Sequence, residues 1–108
     1  MQAFAMETLL EARAATGRLY HEFLRVPALS AGVYVLPAGG TDPQQPHTED
    51  EVYYIARGRA RFTAGAEERA VEPGSVLYVA ADVPHRFHDI SEELVVLVFF
   101  APASQRRA

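Results

Sequence analysis

Between residues 46 and 58 the chain reads PHTEDEVYYIARG. This stretch passes from an imidazole and three carboxylates into β-branched and aromatic residues, and it ends on a glycine. Alternate residues share one face of an extended strand. The face expected to hold the functional side chains contains Gln45, His47, Glu49, Glu51, Tyr53 and Ile55. The stretch therefore predicts a strand with a polar site at its start and a packed core further along.

A second histidine completes a candidate metal-binding set. His85 follows a loop at residues 81–84 and begins another predicted strand. With His47 and Glu51 it forms a nitrogen and oxygen site suited to Fe, Mn, Ni, Zn or Co, with coordination positions left for water or substrate. Glu49 is the alternative carboxylate, because it has the same parity as Glu51. The chain contains no cysteine, which excludes thiolate ligands and cysteine nucleophiles.

The whole chain, residues 1–108, is predicted to be a single all-β domain with a short N-terminal helix. Many short strands separated by turns are typical of a small antiparallel β-barrel or sandwich, here over about residues 20–101. A helix is predicted over about residues 6–17, with Thr8 and Glu11 as a capping box. The predicted strands are Tyr20–Val26, Leu29–Leu36, Glu51–Arg57, Arg59–Thr63, Arg69–Glu72, Ser75–Ala80, Arg86–Asp89 and Leu94–Ala101.

The last predicted strand is apolar on both of its faces. Residues 94–100 read LVVLVFF, so one face is expected on the barrel core and the other face must also be covered. Either the N-terminal helix or a second subunit would cover it, and a homodimer is the predicted assembly. Residues 102–108 follow as a tail that is expected to be frayed.

Composition describes a soluble globular protein and excludes two classes of partner. Hydrophobic residues make up 49% of the chain and charged residues 22%. The net charge is −4, which argues against nucleic acid and membrane partners, because both are bound through basic surfaces. Three alternating arginines are instead expected to form cross-strand ion pairs with nearby glutamates. These are Arg57, Arg59 and Arg61 with Glu67, Glu68 and Glu72.

The sequence also predicts where in the cell the protein is located. No apolar run approaches the roughly 18 residues that a membrane-spanning helix needs. The first residues lack the basic start, apolar stretch and cleavage site of a signal peptide. A cytoplasmic protein is therefore expected.

The stretch that contains His47 resembles the first motif of the cupin superfamily, G-x5-H-x-H-x3-E-x6-G. Glu51 and Gly58 have the separation that this motif requires, and His47 stands at its second histidine position. The first histidine position holds Gln45. The opening glycine, Gly40, lies one residue nearer to Gln45 than the pattern has it.

A later segment resembles the second cupin motif, G-x5-P-x-G-x2-H-x3-N. It begins at Gly74, and His85 stands at the histidine position. Ala80, Asp82 and Asp89 replace the proline, glycine and asparagine. The 15 residues between the two motifs resemble the compact arrangement of small, single-domain bacterial cupins of the conserved-barrel type.

The resemblance implies a double-stranded β-helix, a jelly-roll-like antiparallel barrel, that holds one divalent metal ion. Fe, Mn, Ni or Zn would be bound by His47, Glu51 and His85. Gln45 would be a further ligand through its weakly donating amide oxygen. A small molecule is expected in the barrel as the ligand or substrate.

Three functions fit this resemblance. The first is a metal-dependent dioxygenase, isomerase or lyase acting on a small molecule, with Tyr53 either as a catalytic acid or as a core residue. The second is a non-catalytic module that binds a small ligand or a metal. The third is a barrel kept for structure or for a protein partner, with a vestigial site.

Overall fold

The computed structural model describes residues 1–105, which form one helix and six strands. Within this part of the chain, no helix combines the length and the apolarity that crossing a bilayer requires. The end of the predicted frayed tail, residues 106–108, lies outside the described residues. The elements are α1 (Met6–Thr16), β1 (Tyr20–Val26), β2 (Leu29–Leu36), β3 (Asp50–Ala64), β4 (Glu67–Val71), β5 (Val76–Val79) and β6 (His85–Ala101).

The six strands pair antiparallel throughout, as the sequence predicts. Their order is β1-β2-β6-β3-β4, and β5 also pairs with β3. The first half of β3 lies between β5 and the second half of β6, whereas its second half lies between β4 and the first half of β6. Two long bent strands therefore belong to both halves of the barrel and wrap the chain around one interior.

β3 and β6 each unite two strands that the sequence separates. Pairing between them continues through the predicted break at Gly58, although the register shifts between Ile55 and Arg61. Gly58 has a φ of 94°, and a Cβ added there would lie 2.1 Å from the carbonyl oxygen of Glu93. Glycine lets the chain bend at this close approach without ending the strand. Four separate strands were predicted here, two in place of β3 and two in place of β6. That prediction was wrong because both strands bend while their pairing continues.

The inward faces of the strands form the barrel core. Its largest fully buried side chains include Tyr53, Ile55, Phe87 and Leu94. On β6 the alternate residues Leu94, Val96, Val98 and Phe100 point into this core. The expected period of two therefore holds along a strand that is apolar on both faces.

Part of the outer face of β6 is covered by the helix. Val95 packs with Leu9 of α1 and with Val33 and Val35 of β2. The structure thus confirms that the N-terminal helix covers one end of the second apolar face.

Beyond the helix, the outer face of β5, β3 and β6 carries uncovered apolar side chains. Val52 lies opposite Tyr78 and Phe99, and Tyr54 lies opposite Val76 and Leu97. Val76 and Tyr78 are each 65% exposed. We call these six residues the outer apolar patch: Val52, Tyr54, Val76, Tyr78, Leu97 and Phe99.

Helix α1 begins and ends close to the predicted residues, but it lacks the predicted capping box. Gly17 has a φ of 70°, and its N–H donates to the carbonyl of Ala14, which caps the C-terminus. The helix begins at Met6, and the residue before it makes no side-chain capping bond. The predicted capping box is wrong because Thr8 lies inside the first turn rather than ahead of it.

The start of the tail is ordered. Ala103 and Ser104 are buried. The N–H of Ser104 donates to the hydroxyl of Ser30 at 2.9 Å, and the N–H of Ala103 donates to the carbonyl of Pro27 at 3.3 Å. Fraying was a wrong prediction for these two residues, because the β1–β2 hairpin holds their backbone.

The predicted ion-pair face forms in part. The pairs that form as predicted are Arg59 with Glu72 at 3.1 Å and Arg61 with Glu68 at 2.9 Å. Arg57 instead pairs with Glu7 of α1 at 2.6 Å. The prediction for Arg57 was wrong because β4 pairs only with residues 60–64 and does not reach it.

Candidate metal centre

Two imidazoles and a carboxylate meet at the start of β3. Nδ1 of His47 lies 3.1 Å from Oε1 of Glu51, and Nε2 of His85 lies 3.0 Å from the same oxygen. The three ligand atoms all lie within 4.8 Å of one another. The structure therefore brings together the three residues that the sequence proposes as metal ligands, and we call them the His–Glu–His cluster. Their coordination of a metal stays a prediction.

The loops before β3 and β6 place the two histidines side by side. The N–H of Asp82 donates to the carbonyl of His47 at 2.7 Å, which ties one loop to the other. Nδ1 of His85 lies 2.8 Å from the carbonyl of Val83, which orients Nε2 toward Glu51. A backbone carbonyl on one ring nitrogen fixes the other nitrogen as the ligand atom.

The donor set and the burial of the cluster fit a metal ion. The two nitrogen–oxygen separations, 3.1 Å and 3.0 Å, are hydrogen-bond distances. Neighbouring ligands about 2.1 Å from one ion and at right angles to each other would also be about 3.0 Å apart. Glu51 is 2% exposed and His85 is 7% exposed. A buried carboxylate between two imidazoles is a donor set that first-row divalent ions accept.

Tyr53 places a hydroxyl directly beside the cluster. Its side chain is 1% exposed, and its ring packs edge-on against Phe87 with centroids 5.4 Å apart. The hydroxyl lies 2.5 Å from Oε2 of Glu51 and 2.9 Å from Nε2 of His85. Burial, followed by the charge of Glu51, raises the pKa of Tyr53 well above its ordinary value, so the phenol keeps its proton. Tyr53 is thus a core residue whose polar end contacts the cluster.

An amide that the sequence did not single out also reaches the cluster. Oε1 of Gln44 lies 2.8 Å from the Tyr53 hydroxyl and 3.1 Å from Nε2 of His85. Gln45, the predicted fourth ligand, is solvent-exposed instead. Counting back along an extended strand fails here because residues 41–47 have no regular secondary structure. A polar side chain one residue from the motif position was the only sequence signal for Gln44.

Glu51 and His85 have shifted pKa values. Burial alone would raise the pKa of Glu51, but hydrogen bonds with His47, His85 and Tyr53 lower it to about 2 from its ordinary 4.5. Burial alone would lower the pKa of His85, but Glu51 and the carbonyl of Val83 outweigh it and raise the pKa. The metal-free cluster therefore favours a carboxylate facing a protonated imidazole.

Comparison with known proteins identifies the family. The sequence model of the Cupin domain matches residues 32–101, which include the whole cluster. The chain belongs to the cupin family. An uncharacterized protein of Streptomyces coelicolor is 51% identical over 102 residues, which cover 94% of this cupin and 97% of that protein.

Solved structures show the same fold. TT1209 from Thermus thermophilus superposes with a TM-score of 0.75 at 22% identity, covering 95% of this cupin and 99% of that chain. The DMSP lyase DddQ from Ruegeria pomeroyi superposes with a TM-score of 0.69 at 21% identity, covering 94% of this cupin and 66% of that chain. At these identities the two structures establish the cupin fold and nothing finer.

A cleft borders the cluster at one end of the cupin barrel. Its volume is about 600 Å³, and Arg18 is among the residues that line it. The His47 ring forms part of the wall, with its centroid 4.7 Å from that of Phe100. The size and the mixed aromatic, aliphatic and polar walls suit a small molecule. Its aromatic and polar lining residues include Tyr20, Tyr34, Gln44, His47, Tyr53 and Phe100.

Glu49 and His88 lie apart from the cluster. Glu49 is buried and accepts a hydrogen bond from the Thr48 hydroxyl, and Glu51 is the carboxylate that joins the histidines. Nδ1 of His88 lies 2.7 Å from Asp89, and its Nε2 lies 2.7 Å from the hydroxyl of Thr63. The cluster is therefore built from Glu51 and not from the alternative carboxylate.

We expect the metal-free cupin to be most stable between about pH 4.5 and 6.5. The contribution of Glu51 is present above pH 4.5 and is lost as the pH falls toward 2. The contribution of His85 is present below pH 6.5 and is lost as the pH rises through the raised pKa. The shift of Glu51 corresponds to about 3 kcal/mol of unfolding free energy. Denaturant unfolding of chelator-treated protein at a series of pH values measures the loss of stability on the acidic side and on the basic side of this window.

Two controls test whether His85 causes the loss of stability above pH 6.5. His85→Gln should remove the loss of stability above pH 6.5. With added divalent metal, the unfolding free energy should instead rise above pH 6.5, because imidazole must lose its proton to bind a metal. A metal-free protein whose unfolding free energy is the same on both sides of the window would contradict the prediction.

Proposed function

We propose that this cupin is a metal-dependent enzyme that binds one divalent Fe, Mn, Ni or Zn ion and acts on a small molecule. The observation that carries the proposal is the position of the His–Glu–His cluster beside a cleft of about 600 Å³. His47, Glu51 and His85 would hold the ion. A buried nitrogen and oxygen donor set that opens on a cleft suits joint binding of a metal and a small ligand.

The chain supplies groups that would act on a bound molecule. When bound, the metal would provide Lewis-acid polarisation of a substrate oxygen. Tyr53 holds a proton at a hydroxyl 2.5 Å from Glu51, and it is the candidate acid. Phe62 and Phe87 pack on its ring and keep water from the inner side of the site. Phe100 and His47 would hold an apolar or planar part of the molecule.

Dioxygenase, isomerase and lyase reactions are the proposed classes. The DMSP lyase DddQ supports the proposal to the extent that a barrel with the same fold carries lyase activity. Tyr53 beside the cluster supplies the proton-transfer group that isomerases and lyases need.

A non-catalytic binding module is the second candidate. The observation that favours it is the missing imidazole: Gln45 stands at the first histidine position of the motif, and the side chain that reaches the cluster is the amide of Gln44. A neutral amide oxygen is a weaker ligand for these metals than imidazole. In this case the barrel would hold a small ligand or a metal without turnover.

Metal content tests the proposal directly. Untagged protein, purified without chelator, should contain close to one Fe, Mn, Ni or Zn per chain by inductively coupled plasma mass spectrometry. Protein that stays metal-free after incubation with excess of each ion would remove both the metalloenzyme and the metal-carrier functions. It would leave a ligand-binding or structural barrel.

Ligand screening then separates the enzyme from the binding module. A small molecule that raises the melting temperature and is recovered unchanged indicates a binding module. A molecule that is consumed only by metal-loaded protein, and more slowly by Tyr53→Phe, indicates an enzyme. The cytoplasmic location stays a prediction.

We also propose that a second copy of the chain covers the outer apolar patch. Its six side chains are contiguous across three strands, and they continue the surface that α1 covers at Val33 and Val95. Light scattering at micromolar concentration should give the mass of a dimer. Tyr54→Glu places a charge in the patch and should give a monomer.

Val26→Glu is the matched control for the patch. Val26 is 44% exposed, close to the 40% of Tyr54, but it lies at the end of β1 and outside the patch. This variant should stay dimeric. A monomeric parent protein at micromolar concentration would contradict the predicted homodimer.

A further inference from the structure

A buried carboxylate organises the loop that precedes β3. Asp42 is 7% exposed and lies between Tyr34 of β2 and Phe87 of β6. The Tyr34 hydroxyl donates to its Oδ1 at 2.5 Å, and the N–H of Phe87 donates to its Oδ2 at 2.9 Å. Gln44 adds two further donors, its backbone N–H at 3.2 Å and its side-chain Nε2 at 2.5 Å. In all four contacts an oxygen of Asp42 is the acceptor.

This contact determines which end of the Gln44 amide faces the cluster. A carboxylate only accepts hydrogen bonds, so the NH₂ group of Gln44 must face Asp42. The amide oxygen then points the other way, 3.1 Å from Nε2 of His85 and 2.8 Å from the hydroxyl of Tyr53. The reverse orientation would set two oxygens against each other at Asp42 and would direct a group without a free lone pair at the cluster.

We propose that Asp42 is a positioning residue that turns the oxygen of Gln44 toward the metal, and that this oxygen is the fourth protein ligand. The inference rests on the proposed function, because it assumes that the His–Glu–His cluster holds a metal. It assigns the fourth position to Gln44 in place of Gln45. Asp42 holds the NH₂ end of the amide, and the Tyr53 hydroxyl donates to its oxygen end, so both contacts favour the same orientation.

Co²⁺ is the probe for this proposal. Its dissociation constant is measured by titration, and its visible absorption reports the number and type of ligands. Gln44→Ala removes the oxygen, and Asp42→Asn exchanges the carboxylate that holds the NH₂ group for an amide that can face it with either its oxygen or its NH₂ group. Each variant should weaken Co²⁺ binding by about 10-fold to 100-fold, as loss of a group that orients a ligand usually does. Each should also change the visible spectrum.

A double variant distinguishes orientation from structural damage. In Asp42→Asn/Gln44→Glu, the new carboxylate presents an oxygen whichever way it turns, and the NH₂ group of the new asparagine can donate to it. Co²⁺ affinity should therefore return to within a few-fold of the parent protein. Gln44→Glu alone should bind less well than the double variant, because two carboxylates would then face each other.

One further variant serves as a control. Gln45→Ala removes the exposed neighbour and should leave Co²⁺ affinity and spectrum unchanged. Thermal unfolding of each metal-free variant checks that it folds. If Asp42→Asn alone does not fold, Gln44→Ala and the double variant carry the test.

The outcomes separate this inference from the proposed function. Folded Asp42→Asn or Gln44→Ala with parent-like affinity and spectrum would overturn the role of the Asp42–Gln44 pair, while the three-ligand site would stand. Loss of affinity in Gln45→Ala alone would assign the fourth position to Gln45. A parent protein that binds no Co²⁺ and no other divalent ion would overturn the metal site and this inference together.

Discussion

The double variant His47→Ala/His85→Ala is expected to lose nearly all of its affinity for the metal. It leaves Glu51 without either imidazole of the cluster, so the ion would keep one carboxylate and the nearby amide of Gln44. Structural zinc sites with four ligands are worth roughly 10–16 kcal/mol, or about 3 kcal/mol for each ligand. Removal of two imidazoles should therefore weaken binding by at least about a thousandfold. Metal titration and metal content of the purified variant measure this.

His88→Ala is the matched control for the double variant. His88 lies on β6 as His85 does, but its ring contacts Thr63 and Asp89 and takes no part in the cluster. Its loss should leave metal content unchanged. Near-stoichiometric metal in His47→Ala/His85→Ala would show that the ion sits elsewhere on the chain.

Gly58→Ala is expected to be among the most destabilising single substitutions in this protein. Gly58 has a φ of 94°, and a Cβ there would lie 2.1 Å from the carbonyl oxygen of Glu93 and 2.8 Å from Cα of Leu94. Both contacts are with backbone, which cannot turn aside as a side chain can. Because β3 and β6 share the barrel interior, their separation would open the core. We expect a loss of more than about 3 kcal/mol of unfolding free energy, combining left-handed strain with overpacking.

Gly74→Ala isolates the contribution of the close approach. Gly74 has a φ of 95°, almost the same as Gly58, but a Cβ there meets no atom within 4 Å. Only backbone strain should destabilise this variant, by about 1 kcal/mol. Denaturant unfolding of the two variants measures the difference. Equal losses would mean that the backbone at Glu93 moves to accept the methyl group, and that close approach is not why glycine is needed.

Strand alternation accounts for most of what could be predicted about the site. Glu51, Tyr53 and Ile55 share one predicted face, and all three are almost fully buried in the barrel. The limits of β1 and β2 agree with the prediction because Pro27 leaves room only for a tight turn between them. These features depend on the period of the backbone, which a sequence displays directly.

Alternation fails where the chain leaves the strand. Gln45 has the parity of His47 and is exposed, whereas Gln44 reaches the cluster from a segment without regular structure. Asp42 is buried because the barrel closes β2 and β6 around it, and no local pattern marks that burial. The conformation of a loop depends on contacts with residues that are distant in the sequence. For this reason Gln44 contacts the cluster and its neighbour Gln45 does not point where its parity predicts.

By itself the sequence determined the antiparallel barrel, the cupin resemblance and the three candidate ligands His47, Glu51 and His85. Residue periodicity and fixed spacing encode such features locally. Tertiary structure alone decided that Gln44 contacts the cluster, that Arg57 pairs with Glu7, and that a glycine bends β3 without ending it. Each of these depends on a distance between segments far apart in the chain, and that distance exists only once the barrel has closed.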